Sequence, residues 1–216
     1  AGAHVALAAR DAEKLEAVAG QIQAAGGSCS VHPLDVTEHT AVARTIDAIV
    51  EEHGRLDILC NNAGVIDAGH VADVPPERMA AVFAVNVFGL YAGCHAALPH
   101  MRDAGYGRIV NMGSGSAYTC TPGEAVYSSS KAAVHVLTVA LAREVRESGI
   151  LVNAMSPGDI RTDMNPHAVT EAVEAVPTAL WLASLPDDGP SGRFFRFMEE
   201  IPILPDTDVD FSAGPD

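Results

Sequence analysis

The chain has 216 residues, 48% of them hydrophobic, and a formal net charge of -15, a length that fits one domain of the larger single-core size rather than two. Its 13 Lys and Arg are scattered and form no basic patch, so the acidic balance excludes a nucleic-acid or anionic-membrane surface. No uninterrupted apolar stretch of bilayer length and no signal-peptide pattern at the N-terminus are read, and a soluble, cytoplasmic protein is expected.

Ala3 to Ala9 predicts a short strand, and Asp11 an N-cap for a helix that carries Leu15, Val18 and Ile22 on one stripe and ends at Gly26-Gly27. The unit then repeats. Cys29 to Leu34 is a strand, Asp35-Val36-Thr37 a turn, and Val42, Ile46, Ile49 and Val50 are the buried side of a helix closing at Gly54. Leu56 to Cys60 is a third strand, followed by Asn61-Asn62-Ala63-Gly64. Asp73, Pro75 and Pro76 open a long helix with Met79, Val82, Val85, Asn86 and Leu90, running toward Pro99.

Ile109 to Met112 is an apolar, β-prone run and Gly113 to Gly123 a turn-rich connection; Val134, Leu137, Leu141 and Val145 then recur at helical spacing, to about Glu147. Ile150 to Met155 is a fifth strand that turns at Ser156-Pro157-Gly158. Ala168 to Ser184 predicts a helix with Ala172, Val176, Ala179 and Leu182 inward, and Gly192 to Phe197 a last strand. One domain over 1–204 is expected, with an acidic, frayed tail over 205–216. This alternation predicts an α/β fold, a parallel sheet covered on both faces. In such a sheet the ligand crevice lies outside the carboxyl ends of the strands. Arg10, Asp35, Asn61 to Gly64, Ser114 and Pro157-Gly158 all follow predicted strands.

Tyr127 and Lys131 sit four apart on one face at a helix start, and Ser114 lies thirteen residues before Tyr127 at the mouth of the preceding strand. A phenol with an ordinary pKa of about 10 exchanges protons poorly near neutrality, and a nearby ammonium lowers that value. The pair is thereby suited to proton exchange with an alcohol or ketone, whose oxygen the Ser114 hydroxyl could also meet. The four cysteines fall in separate elements and the nine histidines are dispersed, so reduced thiols and no metal site are expected.

Asn61-Asn62-Ala63-Gly64, Asn86-Val87-Phe88-Gly89, Ser114, Tyr127-x-x-x-Lys131 and Pro157-Gly158-x-Ile160-x-Thr162, in this order and spacing, resemble the classical short-chain dehydrogenase/reductase family. The resemblance implies a Rossmann-like, doubly wound sheet and an oxidoreductase that moves a hydride between NADP(H) and a carbonyl or secondary alcohol. By resemblance Tyr127 would be the general acid or base, Lys131 would lower its pKa and bond the nicotinamide ribose, Ser114 would polarise the carbonyl, and Asn86 would hold a proton-relay water. A loop hydroxyl for Ser114, a buried structural amide for Asn86 and a solvated charge for Lys131 are the alternatives.

On the cofactor side Asn62, Ala63 and Gly64 would lie along the adenosine ribose, Asp35 and Val36 would contact the adenine, and Pro157, Gly158, Ile160 and Thr162 would stand near the nicotinamide. Asp35 could instead cap its turn, and Thr162 a helix. Arg10 follows Ala9 where NAD-using members commonly carry an acidic residue; a guanidinium there can pair with a 2'-phosphate, so NADP is preferred over NAD. The alternative is an exposed Arg10 answering Asp11 or Glu13. The resemblance also implies a homodimer or homotetramer, formed through the helices of Asp73 to Pro99 and Glu124 to Glu147.

The family's opening strand and Gly-rich turn, T-G-x-x-x-G-x-G, are not found in these residues; Ala1 to Val5 aligns with the start of its second strand. The missing strand is central in the family's sheet, so an N-terminally incomplete copy, or a truncated form with weak cofactor binding, is expected. The Trp181 to Pro190 segment followed by Gly192-Arg193-Phe194-Phe195 resembles the end of carbonyl-reductase-like members. The rival function is a non-catalytic Rossmann-like binding protein.

Overall fold

The structure is a computed structural model and describes residues 2–203, so the expected tail at 205–216 lies outside the described residues. The first two units form as the pattern requires. Strand β1 (His4–Ala9) leads into helix α1 (Ala12–Ala24), whose N-cap Asp11 accepts a hydrogen bond from the Lys14 amide at 3.0 Å. Leu15 and Ala19 are the buried side of α1, while Val18 stays exposed. Strand β2 (Ser28–Pro33) lies parallel to β1, and helix α2 (His39–His53) buries Val42 and Ile46 before ending at Gly54, which adopts the left-handed conformation.

After β3 (Ile58–Asn61) comes a helix longer than expected. It begins with α3 (Pro76–Phe83), with Pro75 at its N-cap position and Pro76 in its first turn, widens into a π segment (Ala84–Gly89) and continues as α4 (Leu90–Ala104). The predicted stop near Pro99 is not made. Proline removes one backbone bond, but the buried inner face of Cys94, Ala97 and Met101 keeps α4 docked until left-handed Gly105. By length and hydropathy this joined helix (Pro76–Ala104) and α6 (Ala125–Glu144) both reach membrane-spanning dimensions, contrary to the expectation of no such stretch. About half of each is buried inside this fold, 56% and 44% of the apolar windows, as core helices require.

Strand β4 (Gly107–Met112), the short α5 (Ser116–Thr119), α6 and β5 (Ile150–Ser156) follow in the expected order. The helix expected over Ala168 to Ser184 is mostly not one. Strands β6 (Ile160–Arg161) and β7 (Thr170–Glu171) pair with each other, a 3-10 turn covers Ala172–Ala175, and only α7 (Val176–Ala183) is α-helical. Pro177 sits in the first turn of α7, where its missing N–H costs nothing, and would have broken a longer helix. The inward residues are Ala175, Thr178 and Leu182, whereas Ala172 and Val176 face solvent. The last strand, β8 (Phe194–Arg196), is followed by an antiparallel β9 (Glu199–Ile201). Its turn residues, Phe197 and Met198, both have positive φ, a costly conformation that hid the hairpin from sequence patterns.

The main sheet runs β3-β4-β5-β8-β9, parallel from β3 to β8, with helices on its faces. β1 and β2 form a separate two-stranded sheet, and no hydrogen-bonded strand joins β1 to β3 among the described residues. Burial follows the same division. All seven residues of β5 and all of β4 except Met112 are buried, while no residue of β1 is. The β1–β2 unit is tied to the remainder by α2, whose Val42 and Ile46 share a core with Leu90, Cys94 and Met101 of α4, and by an exposed ion pair between Lys14 and Asp163.

Candidate active site

The end of β4 and the start of α6 meet along a seam of polar bonds. Tyr127, Lys131 and His135 recur every four residues, so they share one face of α6. Lys131 Nζ donates to the Met112 carbonyl at 2.7 Å, and His135 Nε2 accepts from the Ser114 amide at 3.4 Å, while the Ser114 side chain lies near enough to Tyr127 to act on its phenol. One turn further on, Thr138 Oγ1 accepts from Asn111 Nδ2 at 3.0 Å. Asn111 in turn accepts from Asn61 Nδ2 at 2.9 Å, which links β3, β4 and α6 through the half-buried Asn61 and the buried Asn111 amides. Such a chain is stable in the core because each member answers another.

Electrostatics at this seam differ from the sequence expectation in one respect. The Tyr127 phenol lies above its ordinary value of 10.0: burial raises it, the Ser114 hydrogen bond lowers it in part, and the Glu124 charge raises it further. Lys131 does not bring it down. The lysine is itself 3% exposed, and burial lowers its pKa to about 8, so its charge is weakly held at neutrality. Its ammonium nitrogen stands 5.6 Å from the centre of the Tyr127 ring.

Asn86 occupies the π segment, an irregularity that recurs at functional sites. Its Oδ1 accepts from the Val65 amide at 2.8 Å, and its Nδ2 donates to the Val65 carbonyl at 2.9 Å and to Ser130 Oγ at 3.0 Å. Both N–H groups are therefore taken within the protein, and the side chain pins the segment after β3. A Cβ at Gly64 would lie 3.5 Å from Asn86 Oδ1 and 3.6 Å from Lys131 Nζ, so this turn closes directly over the Asn86 and Lys131 head groups.

The cofactor-side candidates lie at strand ends as expected. Arg10 and Asp35 follow β1 and β2 and form an exposed pair at 4.0 Å; Arg10 answers Asp35, not Asp11 or Glu13. Asp35 Oδ1 accepts from the Thr37 amide and hydroxyl, which holds its carboxyl below 3.8 with Arg10 as the smaller cause. Val36 packs against Gly89, where a Cβ would come within 2.7 Å of Val36 Cγ2. Asn62 and Ala63 are exposed, and Pro157 and Gly158 are half-buried. Gly158 has φ +81°, and a Cβ there would meet the Phe197 ring at 2.7 Å. Ile160 packs on the core beside α7, and Thr162 Oγ1 accepts from the Asn165 amide, which makes it a turn cap rather than a helix cap.

Sequence reasoning missed His135, Ser130, Asn111 and Thr138. His135 was discoverable, since it falls eight residues after Tyr127 on the same helical face. Beside the site, a cavity of about 460 Å³ is lined in part by His70, Cys120, Pro122, Ser128 and Ser129, and the buried Ser128 hydroxyl has no partner among the described residues.

Fold and site together define a doubly wound α/β protein of dehydrogenase type, with Ser, Tyr and Lys gathered at the carboxyl end of a central strand. The sequence profile of the short chain dehydrogenases matches residues 1–172, and the chain belongs to that family. It is 42% identical over 133 residues to the 2-(R)-hydroxypropyl-CoM dehydrogenase of Xanthobacter autotrophicus, an alignment that covers 60% of this chain and 53% of that enzyme. The chain therefore spans about half the length of this relative. Among solved structures, a gluconate 5-dehydrogenase from Burkholderia cenocepacia in complex with NADP and tartrate superposes with a TM-score of 0.84 at 27% identity, covering 90% of this chain and 84% of that one. An NAD+-bound xylitol dehydrogenase gives 0.83 at 25% identity, with 89% and 87% covered. The family is one of oxidoreductases that act on alcohols and carbonyls with a nicotinamide nucleotide.

Proposed function

We propose that residues 1–204 act as one domain of an NADP(H)-dependent oxidoreductase that interconverts a small-molecule carbonyl and a secondary alcohol, with Tyr127 as general acid and base. The observation that carries this reading is the seam at the end of β4, where Lys131, buried one turn after Tyr127, donates to the Met112 carbonyl and Ser114 follows two residues later. A phenol held above 10 is protonated at neutral pH. It is set to donate to a substrate oxygen, the direction of carbonyl reduction. Ser114 Oγ, which already accepts from the Ser116 amide at 3.1 Å, can direct its own proton to the same oxygen. Asn86 and Ser130 act behind them by fixing the backbone that carries Val65 and Tyr127.

A bound dinucleotide would supply or accept the hydride. Arg10, Asp35, Val36, Asn62, Ala63, Gly64, Pro157, Gly158, Ile160 and Thr162 are the residues that would hold it, and the exposed Arg10 guanidinium supports NADP over NAD. The relatives include NADP-bound and NAD-bound proteins. Exposed Phe88 and Tyr91 on the long helix and Val136 on α6 support association of those helices into a homodimer or homotetramer. A second reading, a Rossmann-like protein that binds without turnover, is favoured by the break between β1 and β3.

NADPH oxidation by the 216-residue chain with a panel of ketones and aldehydes tests both. Turnover that falls roughly 10²- to 10⁴-fold in Tyr127→Phe supports the enzyme. Turnover unchanged in that variant removes Tyr127 from the mechanism, and NADPH binding without any turnover selects the second reading.

A further inference from the structure

We infer that His135 is a positioning residue: its neutral ring holds the Ser114 backbone, and through it sets where the Ser114 hydroxyl stands relative to Tyr127. The inference deepens the proposed function and rests on it for its catalytic consequence, but the geometry stands by itself. His135 is 2% exposed, deep under the loop that follows β4. Its Nε2 accepts the Ser114 N–H at 3.4 Å, a long bond that would not fix a loop alone. The ring is fixed by its neighbours. Phe194 of β8 lies 4.3 Å away centre to centre and Tyr118 of α5 lies 5.3 Å away, both tilted against it.

Gly113 completes the seat. A Cβ at this residue would stand 2.5 Å from His135 Nε2 and 3.1 Å from Phe194 Cε2, so glycine is what lets the chain pass over the imidazole immediately before Ser114. The ring therefore touches the two residues that aim the serine hydroxyl, and that side chain acts on the Tyr127 phenol. An acceptor at Nε2 requires the neutral tautomer with its proton on Nδ1. The groups that face the ring maintain that state. Lys131 contributes positive charge from the same helix, α5 contributes the Tyr118 phenol, and β8 contributes only the apolar Phe194, with no carboxylate among the causes of the shift. Burial first and Lys131 second hold the imidazole pKa down to about 4.

The test compares His135→Leu with His135→Gln, whose amide oxygen can accept the Ser114 N–H, in the full chain. Two readouts are needed: the kcat and KM of carbonyl reduction, and NMR of the Ser114 amide proton and the Tyr127 ¹³Cζ resonance at neutral pH, the latter assigned by its loss in Tyr127→Phe. His135→Leu is expected to lower kcat about tenfold with the KM for NADPH unchanged, the effect of losing one hydrogen bond of ordinary strength, and to shift both resonances; His135→Gln restores them. Gly113→Ala, which displaces the ring without removing it, is expected to shift the same resonances and serves if His135→Leu does not fold. Resonances that stay in place in the variants, or equal losses in Leu and Gln, overturn the inference. If the unsubstituted chain has no carbonyl turnover, the proposed function fails, and the resonances still decide the role of His135.

Discussion

The β4–β5–α6 half and the β1–β2 unit are built from the same alternation of strand and helix, yet they are held in different ways. In the first, apolar strands are covered on both faces and the polar groups among them bond one another, from Asn61 through Asn111 to Thr138. Arg108, 1% exposed, donates to the carbonyls of Leu185, Gly107 and Gly149 and pairs with Asp187. In the second, no residue of β1 is buried and the strand has one hydrogen-bonded neighbour. The residues proposed for proton transfer lie on the buried half, and those proposed for the adenosine end of a nucleotide lie on the more exposed one.

The largest break in this contrast comes from equivalent truncations in the two sheets. Ile109→Ala in β4, where the side chain is 1% exposed, is expected to cost about 2–5 kcal/mol, whereas Val5→Ala in β1, 40% exposed, should cost less than about 1 kcal/mol. Urea unfolding monitored at Trp181 measures both, and equal losses would abolish the distinction.

A second effect isolates the electrostatic cost of the rigid half. With a native pKa of about 8 against 10.5 for the free side chain, Lys131 binds its proton less readily when folded. The unfolded chain holds more protons between these values, so the stability of the protein rises with pH from about 8 to 10.5 on this account, and below 8 the full penalty, roughly 3 kcal/mol, applies. Lys131→Met should therefore unfold later than the parent at pH 7, by somewhat less than that figure because the Met112 carbonyl loses its donor. The gain should fade toward pH 10.5. Thermal melts across this range check it, and a variant less stable at pH 7 would show that the ammonium is not a burden there.

The smallest expected effect sharpens the role of the looser unit. Arg10→Ala should weaken NADPH about tenfold, the loss of one exposed phosphate contact of roughly 1.4 kcal/mol, with NADH and overall stability little changed. Isothermal titration with both nucleotides measures it. Equal weakening of the two would move Arg10 from the 2'-phosphate to general support of Asp35.

Much of this organisation is legible in the sequence because periodicity and turn chemistry are local. The α1 cap at Asp11, the α2 stop at Gly54 and the buried runs of β4 and β5 are each set by residues a few positions apart. The failures share a cause. α4 crosses Pro99 because its packed face outweighs one missing bond, and the segment before α7 is bent by Pro177 and by pairing between β6 and β7, partners ten residues apart.

For the site, the order and spacing of Ser114, Tyr127, Lys131 and the strand-end turns by themselves pointed to the family and to the candidate reacting groups, since four-residue spacing on a helix brings side chains onto one face. Only the tertiary structure decided their state. Burial depends on what the rest of the chain stacks above each group, so it alone could raise the Tyr127 phenol, bring Lys131 down toward neutrality, occupy the Asn86 amide with Val65 and Ser130, and seat a neutral His135 beneath Ser114.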